Sequence, residues 1–286
     1  MQWIRQLFSR KPQEIPPALW HDAVGRMPFL DTLPAPDLAR LKQLSELLLH
    51  EKPFTGAGGL EISDDIAVMI AAQAALPVLN LTPRLYDDMA GIIVYPSAFI
   101  LPQSDVDEAG VVHEWQGPAS GEAIDAGGAV VLSWEDVEET GIAGFNVVIH
   151  EFAHKIDMAG GGANGCPPFL AEYHQGLRMQ EWSAVFSVAF DAFADMVEWM
   201  EHSLPPGFDW DDPDNDEYCA ALLDSLPMDP YGADHPAEFF AVASEAFFVR
   251  PEPLQAAFPE VYRLLSRYFL QDPLQRASGL AAGKSG

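Results

Sequence analysis

Cysteine is scarce: only Cys166 and Cys219 occur in 286 residues, and neither sits in a C-x-x-C pair. That argues against a disulfide-stapled scaffold and against a cysteine-built structural zinc site, and the reducing cytoplasm is the expected compartment. Basic residues are scarce too. The 15 Lys and Arg are outnumbered by 43 Asp and Glu, giving a net charge of −28. Such a surface repels phosphate backbones, and no basic helix or Arg-rich patch stands out beyond the short N-terminus, so direct nucleic-acid binding is not expected. The charge reads as a solubility feature before it reads as a site for a basic partner. Long apolar runs are missing as well. No stretch reaches about 18 apolar residues, so no membrane span is expected. Residues 1–12 are too polar, and their apolar run too short, for a signal peptide. There is no internal repeat.

What is present suits a large folded unit, with 49% hydrophobic residues. Residues 1–12 have the pattern of a short basic amphipathic helix (Trp3, Ile4, Leu7 and Phe8 with Arg5, Arg10 and Lys11), read as a docked or frayed terminus. Pro12 to Pro17 reads as a linker. Leu38, Leu41, Leu44, Leu47 and Leu48 share one face of a helix over 35–49. A Gly-rich loop over 54–60 precedes a helix capped near Ser63, and Ile66 to Leu79 reads as a core helix plus a strand or turn, interrupted by Gln73 and Pro77. Short apolar strands are predicted over 91–96, 99–101, 110–115 and 129–134. The longest helical run is 171–202, with Trp182, Phe186, Phe190, Phe193, Met196 and Met200 as core. The acidic stretch 209–217 lacks the turn Gly and the closing Glu of a calcium loop and reads as solvated. The expected organisation is an N-terminal helical region (1–80) packed on a catalytic domain (81–272), then a flexible tail (273–286).

One stretch carries chemistry: Asn146-Val-Val-Ile-His-Glu-Phe-Ala-His-Lys-Ile-Asp157, which contains H-E-x-x-H. On a helix, His150 and His154 project from one face, one turn apart, and can bind a single zinc ion. Glu151 lies about 100° round the helix, within reach of a water on that ion. Ile142, Phe145, Ile149, Phe152 and Ile156 recur at helical spacing and give the segment a buried face, while Gly160, Gly161 and Gly162 stop it. The motif fixes only three positions, so the third ligand has to be sought elsewhere. The third ligand could be His, Asp or Glu; no histidine follows at the spacing that a metzincin needs, so an acid on a second helix is the leading option. Glu238 and Glu245 lie seven residues apart on one face of an apolar segment opening at Pro236. Buried carboxylates need partners, and a zinc for one and an imidazole N–H for the other would satisfy both. The alternatives are a first-turn Glu238 favoured by the helix dipole and a solvent-exposed Glu245.

The run H-E-F-A-H-K-I-D-M, followed some eighty residues later by Y-x-x-x-x-P-A-E-F-F-A-V-x-S-E-x-F-F, resembles the Mlc titration factor A family of zinc metallopeptidases. The likeness extends from about Ile15 to Tyr268 and includes I-P-x-x-L-W, D-D-x-A-V-M-I-A-A-Q-A-A-L-P-V-L and V-V-L-S-W-E-D-V. The resemblance implies a gluzincin related to the catalytic domain of anthrax lethal factor. Its fold would be α+β and zincin-like, mainly helical, with a small mixed sheet whose edge strand precedes the H-E-x-x-H helix. It implies one zinc per chain on His150, His154 and Glu238, Glu151 as general base and Tyr231 as an active-site tyrosine. It further implies aminopeptidase-like cleavage of peptide substrates and binding of an Mlc-type transcription repressor of sugar phosphotransferase genes. The alternative is a non-catalytic, repressor-sequestering protein with a vestigial or regulatory zinc site. Asp157 or Glu245 is expected to receive the free N–H of a ligand histidine. Val130, Val131 and Leu132 are read either as an edge strand that pairs with an extended substrate or as an ordinary core strand.

Overall fold

The structure, a computed structural model, describes residues 12–97, 99–106, 112–119, 121–122, 128–139, 144–210 and 212–283. Two helices open it, α1 (Pro17–Gly25) and α2 (Ala35–Glu51), followed by strand β1 (Phe54–Gly56) and helix α3 (Asp64–Ala75). The strands β2 (Ile92–Tyr95), β3 (Phe99–Val106), β4 (Val112–Ala119), β5 (Gly121–Glu122) and β6 (Val130–Ser133) come next. Helices then dominate: α4 (Trp134–Glu138), α5 (Val147–Met158), α6 (Met179–His202), α7 (Asp216–Ser225) and α8 (Pro236–Val249). The last three are α9 (Pro251–Ala257), α10 (Pro259–Phe269) and α11 (Pro273–Gly283). The chain is thus an α+β protein, mainly helical, as the motifs implied.

One sheet has the order β1-β2-β6-β5, with the first three strands parallel and β5 antiparallel to β6. A separate antiparallel hairpin joins β3 and β4. The expected edge strand is therefore corrected. Val130, Val131 and Leu132 pair with β2 on one side, and Val131 and Leu132 pair with Glu122 and Gly121 on the other. All four residues of β6 are buried. Continuous apolar character marks a strand covered on both faces, and along Val131 and Leu132 both hydrogen-bonding edges are taken as well.

Three further expectations change. The Gly-rich loop at 54–60 begins with a strand, and Gly56 has no room for a side chain, since a Cβ would fall 1.9 Å from the Leu60 carbonyl oxygen. The long helix starts at Met179, eight residues later than its pattern suggests. Before it, His174 holds a turn by accepting from the Leu170 N–H at 2.9 Å and bonding the Tyr268 carbonyl at 2.9 Å. Residues 273–283 are helical, with Leu274 packed on the core. Acids 216 and 217 lie in the first turn of α7, where they suit the helix dipole. Of the N-terminal amphipathic segment only Pro12 falls within the described residues, and Ile142 also lies outside them.

A single cluster of buried side chains runs from Ile15 to Phe269, so the N-terminal helices share one core with the rest. Two helices are apolar on all sides. In α3, every residue from Ile66 to Ala75 is buried, and in α8 eleven residues are. A helix of this kind has no solvent face and must be surrounded. Both pack against α5, which carries the H-E-x-x-H motif. Caps set where these helices start: Ser63 accepts from the Ile66 N–H, Asn146 from the Ile149 N–H and His235 from the Ala237 N–H. Behind α8, Trp182 stacks on Phe186 with ring centres 4.2 Å apart, and both rings approach Phe240. On the side of α5 away from the histidines, fully buried Phe152 meets the Tyr86 ring edge-on at 4.9 Å. Truncating Phe152 to alanine should remove about 3–5 kcal/mol of stability, measured by urea denaturation; a loss below about 1 kcal/mol would show that the back of α5 is loosely packed.

Candidate metal centre

The two histidines and Glu238 meet at one point. His150 Nε2 and His154 Nε2 are 3.1 Å apart, and Glu238 Oε2 is 3.1 Å from each. Among the described residues this is the one group of three or more His, Cys, Asp or Glu side chains that could hold a metal ion. Three donors at the corners of a tetrahedron with bonds of about 2.0–2.1 Å would be roughly 3.3–3.4 Å apart, close to the observed triangle. Protonated at Nε2, the rings hydrogen-bond Glu238; deprotonated there, the same three atoms offer converging lone pairs to one cation. The donor set, two imidazoles and one carboxylate, suits a metal with a position left open.

Each donor has a local reason for its position. Asn146 starts α5 so that residues 150 and 154 fall on the face towards α8, and helical spacing sets the two rings 4.7 Å apart. Pro236 at the first helical position and His235 as cap start α8, which places Glu238 in its first turn. Burial would raise the Glu238 pKa, but hydrogen bonds from His150 and His154 outweigh it and hold this carboxyl far below the usual range. At His150, burial works against the charged ring, yet Glu245 and Glu238 outweigh it and favour positive charge there. The same field favours a metal cation.

Glu151 is 1% exposed and sits among these groups. Burial pushes its pKa up to about 7, opposed by His150 and assisted by Glu238. Its Oε2 makes no hydrogen bond among the described residues, although almost no solvent reaches it. A buried carboxylate oxygen left open beside a metal-ligand triangle is the arrangement that water activation needs. Tyr231 is on a 3₁₀ turn, Pro230–Ala233, started by Asp229, whose carboxylate accepts the Tyr231 N–H at 2.8 Å. The tyrosine is half exposed, with its ring centre 6.0 Å from that of His150 and the two planes tilted by 33°.

The two carboxylates named as partners for ligand histidines are placed differently. Glu245 Oε1 accepts from His150 Nδ1 at 2.6 Å, which fixes the tautomer with Nε2 facing Glu238. Asp157 reaches neither ring. Its Oδ2 accepts from the backbone N–H groups of Asn164 and Gly165, both at 2.7 Å. Gly165, with φ near +78°, lies so close to α8 that a Cβ would come within 2.4 Å of the Pro236 carbonyl oxygen. Asp157 thus holds the loop against which the first turn of α8, and with it Glu238, rests. His154 Nδ1 is buried without a hydrogen bond among the described residues. The strand Val130–Leu132 lies inside the sheet and presents no free edge along Val131 and Leu132.

Two residues near the site carried no assigned role in the sequence. Asn146 Nδ2 donates to Gln73 Oε1 at 2.8 Å, and the Asn146 N–H donates to Glu245 Oε2 at 2.6 Å. The available signal was Gln73 itself, the one polar residue in the apolar run Ile66–Leu79.

Comparison with known proteins gives the family. The family model described as "Glucose-regulated metallo-peptidase M90" matches residues 1–270. Proteins named Mlc titration factor A from Yersinia pestis and Yersinia pseudotuberculosis are 36% identical over 270 residues, covering 94% of this chain and 90% of theirs. No helix among the described residues is long and apolar enough to cross a membrane. With the motif histidines and a downstream glutamate converging in a chain matched almost throughout, the protein belongs to the glucose-regulated metallopeptidase family M90.

Proposed function

We propose that this metallopeptidase is a cytoplasmic, zinc-dependent peptidase of the gluzincin type, with His150, His154 and Glu238 as ligands, one zinc per chain and aminopeptidase-like action on short peptides. The observation that carries the proposal is the 3.1 Å triangle of donor atoms beside the open, buried Oε2 of Glu151. Histidine and carboxylate donors in a set of three suit zinc. When bound, the ion supplies Lewis acidity and lowers the pKa of water.

The chain's own groups do the rest. Glu151 takes a proton from the attacking water as its oxygen bonds to the scissile carbonyl carbon, and returns that proton to the leaving nitrogen as the C–N bond breaks. The Tyr231 hydroxyl, carried beside His150 on the 3₁₀ turn, donates to the oxyanion that develops on the carbonyl oxygen. Glu245 holds the His150 ring by Nδ1 throughout. The extended substrate cannot add to Val131 and Leu132 without displacing β5, so its backbone has to be held elsewhere.

Separate variants test these roles. Zinc analysis combined with a peptide-library digest should give one zinc per chain and hydrolysis for the wild type, and Glu238→Ala should lose stoichiometric zinc. Glu151→Gln should keep zinc while hydrolysis falls by about 10²–10⁴-fold; full hydrolysis in that variant would sink the mechanism. Tyr231→Phe should lower kcat by about 10²–10³-fold with zinc retained, and an unchanged kcat would remove the tyrosine from the chemistry.

The names of the relatives favour a second role that can coexist with the first, binding of an Mlc-type transcription repressor. Mixed with such a repressor, wild type and Glu151→Gln should form the same complex on gel filtration. Absence of a complex would leave the peptidase reading alone, whereas a complex without any peptide hydrolysis by the wild type would favour a pure sequestering protein.

A further inference from the structure

Asn146 uses every polar atom it has. Its N–H donates to Glu245 Oε2 at 2.6 Å, its carbonyl accepts the His150 N–H at 3.0 Å, its Oδ1 accepts the Ile149 N–H at 2.8 Å and its Nδ2 donates to Gln73 Oε1 at 2.8 Å. Glu245 is likewise complete, with Oε1 taking the His150 Nδ1–H at 2.6 Å. Gln73 is tied to its own helix through Nε2 and the Met69 carbonyl at 3.3 Å. Gln73 and Asn146 are 0% exposed and Glu245 is 2% exposed. A hydrogen-bonded line therefore runs through the interior from α3, through the N-cap residue of α5 and the middle of α8, to the ring of His150.

We propose that Gln73 and Asn146 are positioning residues of the metal centre, acting through Glu245 to set the ring angle and tautomer of His150. The proposal rests on the reading of His150, His154 and Glu238 as ligands. Residue chemistry supports it. Position 146 needs an acceptor for the helix cap and a donor for Gln73. Asparagine offers both. Aspartate has no donor and would set a second negative charge beside Glu245, while serine caps the helix but is too short to replace the second arm. A buried amide on an otherwise apolar helix is costly unless its hydrogen bonds are made, so Gln73 makes sense by what it holds. Without its Oε1, the Asn146 Nδ2 is left buried and unpaired. The amide then turns towards another partner, its Oδ1 leaves the Ile149 N–H, and the Asn146 N–H shifts from Glu245 Oε2. Glu245 keeps only its contact to His150 and is free to swing with the ring.

The test uses the full chain and two readouts besides activity: zinc affinity by chelator competition, and the electronic absorption spectrum of the Co²⁺-substituted protein. Gln73→Met keeps the volume and removes the acceptor. Gln73→Glu keeps the side-chain length and, in either protonation state, an oxygen acceptor for the Asn146 Nδ2. Gln73→Met and Asn146→Ser should each weaken zinc by about 10–100-fold and shift the Co²⁺ bands, with circular dichroism unchanged. Gln73→Glu should return most of the affinity and the wild-type bands. Should Gln73→Met fail to fold, Asn146→Ser and Gln73→Glu supply the same comparison. Wild-type zinc affinity and Co²⁺ spectra in Gln73→Met and Asn146→Ser would overturn the proposal. So would an equal loss in Gln73→Met and Gln73→Glu that follows a fall in Tm, since that is a packing effect. If the wild type takes up no stoichiometric zinc, or His154→Ala holds it as tightly as the wild type, the ligand reading falls and takes the proposal with it. Silent Gln73 and Asn146 variants in a zinc-binding wild type remove the proposal alone.

Discussion

A buried carboxylate between two helices is the constraint on which the site depends. Glu245 bonds the N-cap residue of α5 through one oxygen and the ring of His150 through the other, at 2.6 Å each. An ionised carboxylate in an apolar interior is tolerated only with such partners. Those partners lie on α5 while Glu245 belongs to α8, so satisfying its charge also locks the two helices in register. All three candidate ligands ride on this pair of helices. The geometry of the triangle is thereby set by a contact outside it.

The surrounding architecture follows from that pair. A helix carrying four buried acids and histidines (His150, Glu151, His154 and Asp157) cannot lie at the surface without exposing them to bulk water, and α5 packs against two thoroughly buried helices, α3 and α8. The many alanines of α3 allow close approach to its neighbours. The aromatic stack of Trp182 and Phe186 supports α8 from behind. At the other end of α5, Asp157 and Gly165 fix the loop on which the first turn of α8 rests. The third donor is thus located from both ends: by Glu245 two turns along its own helix and by this loop at its start.

Much of the helical framework and the pairing of His150 with His154 was legible in the sequence, because both depend on short-range spacing; Glu238, 84 residues beyond His154, was one candidate by spacing and was singled out by the family resemblance. Residues four apart on a helix share a face wherever the helix goes, and an acid on an apolar helix demands a partner even when that partner is not known. Glu245 was legible for the same reason, as a second acid on that face. What escaped depends on distant pairing. The status of β6 is set by a two-residue strand, Gly121–Glu122, with almost no strand signature of its own. Gln73 and Asn146 are 73 residues apart in the chain, and no periodicity relates them. Asp157 had the spacing to reach a histidine, but two backbone N–H groups from the following loop are nearer. The helix over 273–283 has a weakly patterned, Gly- and Ala-containing sequence, and its anchor is Leu274 against the core.

The distance along the chain between the second and third donors, 84 residues, has a consequence for synthesis. At roughly 5–20 residues per second, the histidine pair emerges from the ribosome several seconds before Glu238 and Glu245 do. For that interval the nascent chain carries half a metal site and no clamp on His150. All three candidate donors can meet only once α8 has been made and docks on α5. The order of the three donors along the polypeptide therefore makes the candidate metal centre one of the later features of the chain to be completed.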